Sequence, residues 1–243
     1  MPIPDRIPTM LDSLETLISL GVDIESVLDV GVLYGTFPLM KFFPNKVHHL
    51  FEPVDTFFEK IEHNYKNIKH NLHQVALSNE NGKAWQLLIS AEKNNIVTHS
   101  QINHEYVPIS DSVVACKPIS KAKLDSYIEN MIAKPPYLLK IDVDGHELSI
   151  LEGSINTLQK CNIVIIEVTK KSFIERSIFL EKHGFMLFDI VELSYYAGAF
   201  WQADLIFINR KLLTKNKNLI PMETKEYLVW NQWFDLSKKV FKH

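Results

Sequence analysis

Apolar positions along the chain follow two rhythms, and each predicts its own kind of element. Leu11, Leu14, Leu17 and Ile18 recur at three- and four-residue spacing, which predicts an amphipathic helix over 9–20, after Pro8 and stopped by Gly21. Ser26–Val30 is instead a short β-rich run ending at Gly31, the pattern of a buried strand. A helix over 36–43 is predicted next, then a second strand over 47–51 that ends at Glu52-Pro53. A helix over 56–66 follows with Phe57, Phe58 and Ile61 inward, then a third strand over 72–77 and a turn cluster at 79–82. From 83 to 120 the pattern weakens: 85–89 and 113–115 read as strands, and the polar run 92–105 as a loop. Residues 124–132 read as a helix ended by Pro135-Pro136, and 137–143 as a fourth strand. Gly145 opens a helix with Leu148, Leu151, Ile155 and Leu158 on one face, followed by a fifth strand over 162–168 and a helix over 173–183 closed by Gly184. Two last strands, 185–191 and 204–209, are joined by an aromatic loop. A polar linker, 214–218, leads to a final helix carrying Leu228, Trp230, Trp233, Phe234 and Val240.

Strand–helix alternation over most of the chain implies an α/β fold, a parallel sheet covered on both faces, with the last strand pair antiparallel. At 243 residues one large domain is the expected organisation: an N-terminal helix (1–25), a core (26–210) and a helical tail (211–243). Apolar residues at 46% and charged residues at 23% exclude disorder as the main state. Lys plus Arg number 26 against 29 Asp plus Glu, a balance that argues against a nucleic-acid partner. Two cysteines, Cys116 and Cys161, rule out a disulfide scaffold and leave little for a cysteine-built zinc site. The N-terminal residues lack a basic stretch followed by an apolar run, and Ile163–Ile166 is too short to span a bilayer. A cytoplasmic protein without integral membrane association is therefore expected.

Candidate chemistry gathers at strand ends. Asp29 stands at the end of the first strand, and Gly31, Tyr34 and Gly35 lie in the turn after it, where backbone N–H groups and a helix N-terminus can cradle a small molecule. The spacing is G-x-x-x-G, not the G-x-G-x-x-G of a dinucleotide loop. Taken alone, this spacing favours an ordinary strand-to-helix turn. Glu52, with Pro53 beside it, stands about 20 residues beyond, where a carboxylate can hold a ribose diol. On the fourth strand, alternation puts Lys140 and Asp142 on one side near the carboxyl edge. A lysine buried there requires a carboxylate nearby.

These motifs resemble the FkbM-type S-adenosylmethionine-dependent methyltransferases. The resemblance runs from about Ser26 to Asn209. It rests on Leu28-Asp29-Val30-Gly31 with Gly35, Phe51-Glu52-Pro53, Val75-Ala76-Leu77-Ser78 with Gly82, and Leu124-Asp125. Its most specific part is Lys140-Ile141-Asp142-Val143-Asp144-Gly145 with Glu147 and Gly153. The chain departs from the family pattern at Val32-Leu33, where Ala-Asn is usual, and at His146, where Ala is frequent. The resemblance implies a Rossmann-like class I fold of seven strands with an antiparallel last strand. It implies S-adenosylmethionine as cofactor, with Asp29, Gly31 and Gly35 around its methionine part, Glu52 on the ribose and Ala76 near the adenine. It further implies a hydroxyl of a sugar, glycan or related natural product as acceptor.

Methyl transfer to oxygen gains from a base within hydrogen-bond reach. Asp142, His146 and Glu167 are candidates, and Lys140 can orient Asp142 or act itself. Asp142 is the preferred central group. No two-His-plus-carboxylate spacing points to a metal. Residues 195–201 are rich in aromatics, which suit stacking on a sugar or packing in a hairpin; Trp230, Trp233 and Phe234 suit packing or a homodimer contact. A lipid-linked, polyketide or nitrogen acceptor, and a non-catalytic nucleoside-binding subunit of the same fold, remain alternative readings.

Overall fold

Buried apolar runs set the centre of the fold. The computed structural model describes residues 8–90, 97, 99–216 and 219. The predicted final helix, with the tail contact between copies, lies outside the described residues. The first half of the chain gives α1 (Met10–Ser19), β1 (Ser26–Val30), α2 (Phe37–Phe42), β2 (Val47–Phe51), α3 (Phe58–Tyr65) and β3 (His70–His73). There follow β4 (Ala76–Leu77), β5 (Gly82–Ile89), β6 (His99–Asn103) and β7 (Val113–Ala122). The second half gives α4 (Leu124–Ile128), β8 (Tyr137–Ile141), α5 (Glu147–Glu152), α6 (Ile155–Leu158), β9 (Cys161–Thr169), α7 (Phe173–Lys182), β10 (Phe185–Tyr196), β11 (Ala199–Asn209) and α8 (Lys211–Lys215).

Seven strands form one sheet in the order β10-β11-β9-β8-β1-β2-β3. β1 lies parallel to both β2 and β8, while β11 is antiparallel to β9 and β10. This is the expected mixed α/β, Rossmann-like architecture. Alternate residues of the central strands feed two cores. Leu28, Leu139, Val164 and Phe207 pack with Leu124, Ile150, Leu158 and Leu180 of the helices on one face. Val27, Leu138, Ile163 and Ile206 pack with Leu14, Leu17 and Leu39 on the other. The chain leaves β1 toward β2 on one side and returns as β8 on the other. That reversal of strand order opens a crevice at the carboxyl ends of the strands.

Four expectations need correction. The third strand is His70–His73 only; Ala76–Leu77 leaves the main sheet and joins a second, four-stranded sheet in the order β4-β7-β5-β6. The polar run read as a loop contains β6, paired antiparallel with β5. The helix after Gly145 breaks into α5 and α6 because Gly153 passes against β4: a Cβ there would stand 2.0 Å from the Ser78 carbonyl oxygen. The aromatic loop is a hairpin whose strands pair as far as Tyr196 and Ala199. Smaller differences shorten α4 to five residues and put α8 at the start of the supposed linker.

Candidate active site

The crevice holds a cavity of about 520 Å³. Gly31, Glu52, Asp142 and Glu167, at or just past the ends of β1, β2, β8 and β9, all reach its wall. Ala76 and Leu77 line it from β4, residues 99–102 from β6, and Trp201 and Gln202 from the last hairpin. Pro53, Asp144 and His146 also border it. Asp29, Tyr34, Gly35 and Lys140 do not.

Glu52 follows the last residue of β2 and is buried. Its Oε1 accepts the Val54 N–H at 2.9 Å and its Oε2 the Leu33 N–H at 3.0 Å, with Leu33 in the left-handed region at φ 53°. Burial nevertheless pushes its pKa up to about 7, against those N–H bonds. Gly31 borders the cavity and also serves the packing of the backbone. A Cβ on it would stand 1.8 Å from the Asp142 carbonyl oxygen, so it is glycine that lets β1 and the end of β8 approach. The Asp142 N–H completes that junction by donating to the Val30 carbonyl at 3.0 Å.

Behind the wall, Asp29 and Lys140 are register partners on β1 and β8. Lys140 Nζ donates to Asp142 Oδ2 at 2.9 Å and lies 4.0 Å from Asp29 Oδ1. These are the carboxylates that a buried lysine requires. Burial pulls the Lys140 pKa down, but Asp142, Asp29 and Asp204 together hold it above the ordinary lysine value. Burial raises Asp29, against the pull of Lys140. Tyr34 instead packs edge-on against Phe57, with the Lys60 ammonium 3.8 Å from its ring centre.

Glu167 faces the cavity from β9. Its Oε1 accepts from Gln202 Nε2 at 2.7 Å, and among the described residues no cation pairs with it. Burial, with Asp142, Glu147, Asp204 and Asp144 around it, pushes its pKa up to about 8. Asp204, its register partner on β11, is raised to about 6, mainly by burial. His146 Nε2 lies 3.1 Å from Ser78 Oγ, and burial lowers its pKa, so the ring is neutral near pH 7. Among the described residues no three His, Cys, Asp or Glu side chains form a set able to hold a metal ion.

Glu147 and Arg176 organise the loop after β8. Glu147 Oε1 accepts from Val143 N at 3.3 Å and Gly145 N at 3.2 Å, while its Oε2 pairs with the buried Arg176 guanidinium of α7. Arg176 Nη1 also donates to the Glu167 carbonyl at 2.5 Å, tying α7, β9 and the loop together. Sequence reasoning missed Arg176. Its signal was an arginine four residues before Leu180, on the apolar stripe of its helix. The segment of His99 and His104, which sequence reasoning allowed to cover the acceptor site, was read there as a loop; Ser100, not singled out, donates its N–H from β6 to Asp144 Oδ2 at 2.9 Å.

A family model, the methyltransferase FkbM domain, matches residues 29–195, more than half of the chain. The chain belongs to this family. A hexuronic acid methyltransferase of Haloferax volcanii is 43% identical over 44 residues, a stretch that spans 18% of this chain and 18% of that relative. The fold is similar to a fibrillarin pre-rRNA processing protein of Methanococcus jannaschii, with a TM-score of 0.45 at 13% identity over 84% of this chain and 75% of that one. An rRNA methylase of Streptococcus thermophilus gives a TM-score of 0.45 at 12% identity, over 81% of this chain and 93% of that one. As an FkbM-domain methyltransferase the chain is implied to use S-adenosylmethionine, and Glu52 fits that donor. Its carboxylate takes the N–H groups of Val54 and Leu33, with that of Val32 also close, and an ionised carboxylate accepts about four hydrogen bonds, so capacity remains for a ribose hydroxyl. Among the described residues no helix is long and apolar enough to cross a membrane.

Proposed function

We propose that this protein methylates a hydroxyl of a sugar or glycan, with S-adenosylmethionine as donor. One observation carries the reading: two unlike carboxylate environments, Glu52 and the Asp142–Glu167 pair, line the same cavity. Glu52 takes the ribose diol. Asp142, fixed by Lys140, accepts a hydrogen bond from the acceptor hydroxyl and orients it. Glu167 removes the proton. It suits that role because its carboxylate has no cation partner among the described residues, and a base with a pKa near the working pH is the most effective. Bound S-adenosylmethionine supplies an electrophilic methyl group on a positively charged sulfur. The carboxylates around that position favour the cation, and β6 and the hairpin border the same cavity.

The sugar reading draws on the hexuronic acid methyltransferase likeness, short as it is. Initial rates of methyl transfer to a panel of hexuronic acids, neutral hexoses, amines and aliphatic alcohols test it. The account expects the highest kcat/KM on a saccharide. A preference for the amines, or binding of the demethylated product with no transfer to any saccharide, would replace it with one of the other acceptor classes or with a non-catalytic role.

A further inference from the structure

The last hairpin carries a feature that the transfer reaction itself does not use. Its register pairs Ser194 with Gln202 but Tyr195 with Phe200, so Trp201 is one residue too many on β11. Bulges of this kind occur beside active sites and re-aim the extra side chain. Here Trp201 borders the cavity yet stays 42% exposed. The Tyr196 ring stands 5.8 Å away, tilted by 59° and 72% exposed. The Lys170 ammonium lies 5.0 Å from the Trp201 ring centre, with Thr169 beside it in the cavity wall.

We propose that Trp201 and Tyr196 form an outer subsite for a second sugar ring of the acceptor, next to the one that is methylated. This rests on the sugar reading above. Three features favour a saccharide. The aromatic surface is continuous with the cavity, so one chain of linked rings can occupy both. Large rings with a polar handle match a pyranose, which has an apolar face and hydroxyl edges. The Lys170 ammonium supplies a donor for those hydroxyls or for a ring carboxylate.

The test uses the saccharide that the panel identifies, supplied as a monosaccharide and as a trisaccharide. The wild-type enzyme is expected to favour the trisaccharide in kcat/KM by about five- to tenfold, mostly through KM. Trp201→Ala and Tyr196→Ala should each shrink that ratio, and Trp201→Phe should recover part of it. Tyr196 is so exposed that its variant keeps the test usable should Trp201→Ala fold poorly. Equal kcat/KM for the two lengths, or a ratio unmoved in both alanine variants, would overturn the subsite and leave the sugar reading standing. Dissociation of a dimer by Tyr196→Ala, seen by light scattering with the length preference intact, would make the hairpin a contact between copies and overturn it too. Transfer to neither length removes the sugar reading, and the subsite with it.

Discussion

With Glu52 in its proposed place on the ribose, cofactor affinity is expected to depend on pH in a direction set by the burial of that residue. In the free protein its carboxyl has a pKa of about 7, raised by burial. Diol hydroxyls donate to the ionised form, so binding selects the carboxylate and lowers that pKa. Affinity is therefore full above pH 7 and falls as pH drops through it, because protonation must first be reversed. The ionised fraction is about 0.9 at pH 8 and about 0.1 at pH 6, so affinity should fall about tenfold, or about 1.4 kcal/mol, between them. Calorimetric titration with S-adenosylhomocysteine at both pH values measures this directly. Repeating it at pH 7 in buffers of different ionisation enthalpy should reveal about half a proton released per site. Glu52→Gln should weaken binding by about 1–3 kcal/mol and flatten the pH dependence. An affinity flat from pH 6 to 8, or a slope that survives in Glu52→Gln, would refute the argument.

With cofactor saturating, kcat/KM for the acceptor should rise with pH to a plateau whose midpoint lies below 8, since a bound sulfonium favours the ionised Glu167. Glu167→Gln should cost at least about 100-fold in turnover and remove that rise, whereas Asp142→Asn should cost about tenfold and keep it; the reverse order would make Asp142 the base. Gly31→Ala should destabilise the fold by about 3–5 kcal/mol in urea titrations, because its Cβ meets the Asp142 carbonyl at 1.8 Å. Glu147→Ala strands the buried Arg176 cation and should cost about 3–5 kcal/mol by the same measurement, whereas the double replacement Glu147→Leu, Arg176→Met should recover most of it.

The middle of the central sheet was legible because β1, β8 and most of β9 are buried on both faces and read as apolar runs. Val27-Leu28, Leu138-Leu139 and Ile163–Ile166 leave no other reading. The second sheet was only partly legible: β5 and the start of β7 read as strands at 85–89 and 113–115. β6 is polar and partly exposed, and the rest of β7 mixes lysine, serine and proline with apolar residues, so neither a run nor an alternation marks them. The hairpin tip misled for the same reason: Tyr195 and Tyr196 are exposed although their backbone is paired. The break between α5 and α6 depends on how closely Gly153 passes Ser78, a contact between distant parts of the chain that no local pattern records. At the site, Glu52 and Asp142 could be found because strand ends in such a sheet point at ligands. Arg176 and Ser100 arrive through tertiary packing, and the raised pKa of Glu167 comes from carboxylates on separate elements. Asp29 and Lys140 were found by motif, yet they stand behind the cavity wall and support Asp142 from there.

On the proposed function, the Asp142–Glu167 side of the cavity delivers a methyl group to a sugar hydroxyl oxygen. Transfer from S-adenosylmethionine carrying an isotopically labelled methyl carbon, followed by NMR of the isolated product, tests it most directly. The label is expected in a methyl ether at one former hydroxyl of a saccharide, formed by the wild-type enzyme and nearly absent with Glu167→Gln. Label on nitrogen or carbon, or equal labelling by the Glu167→Gln variant, would contradict it.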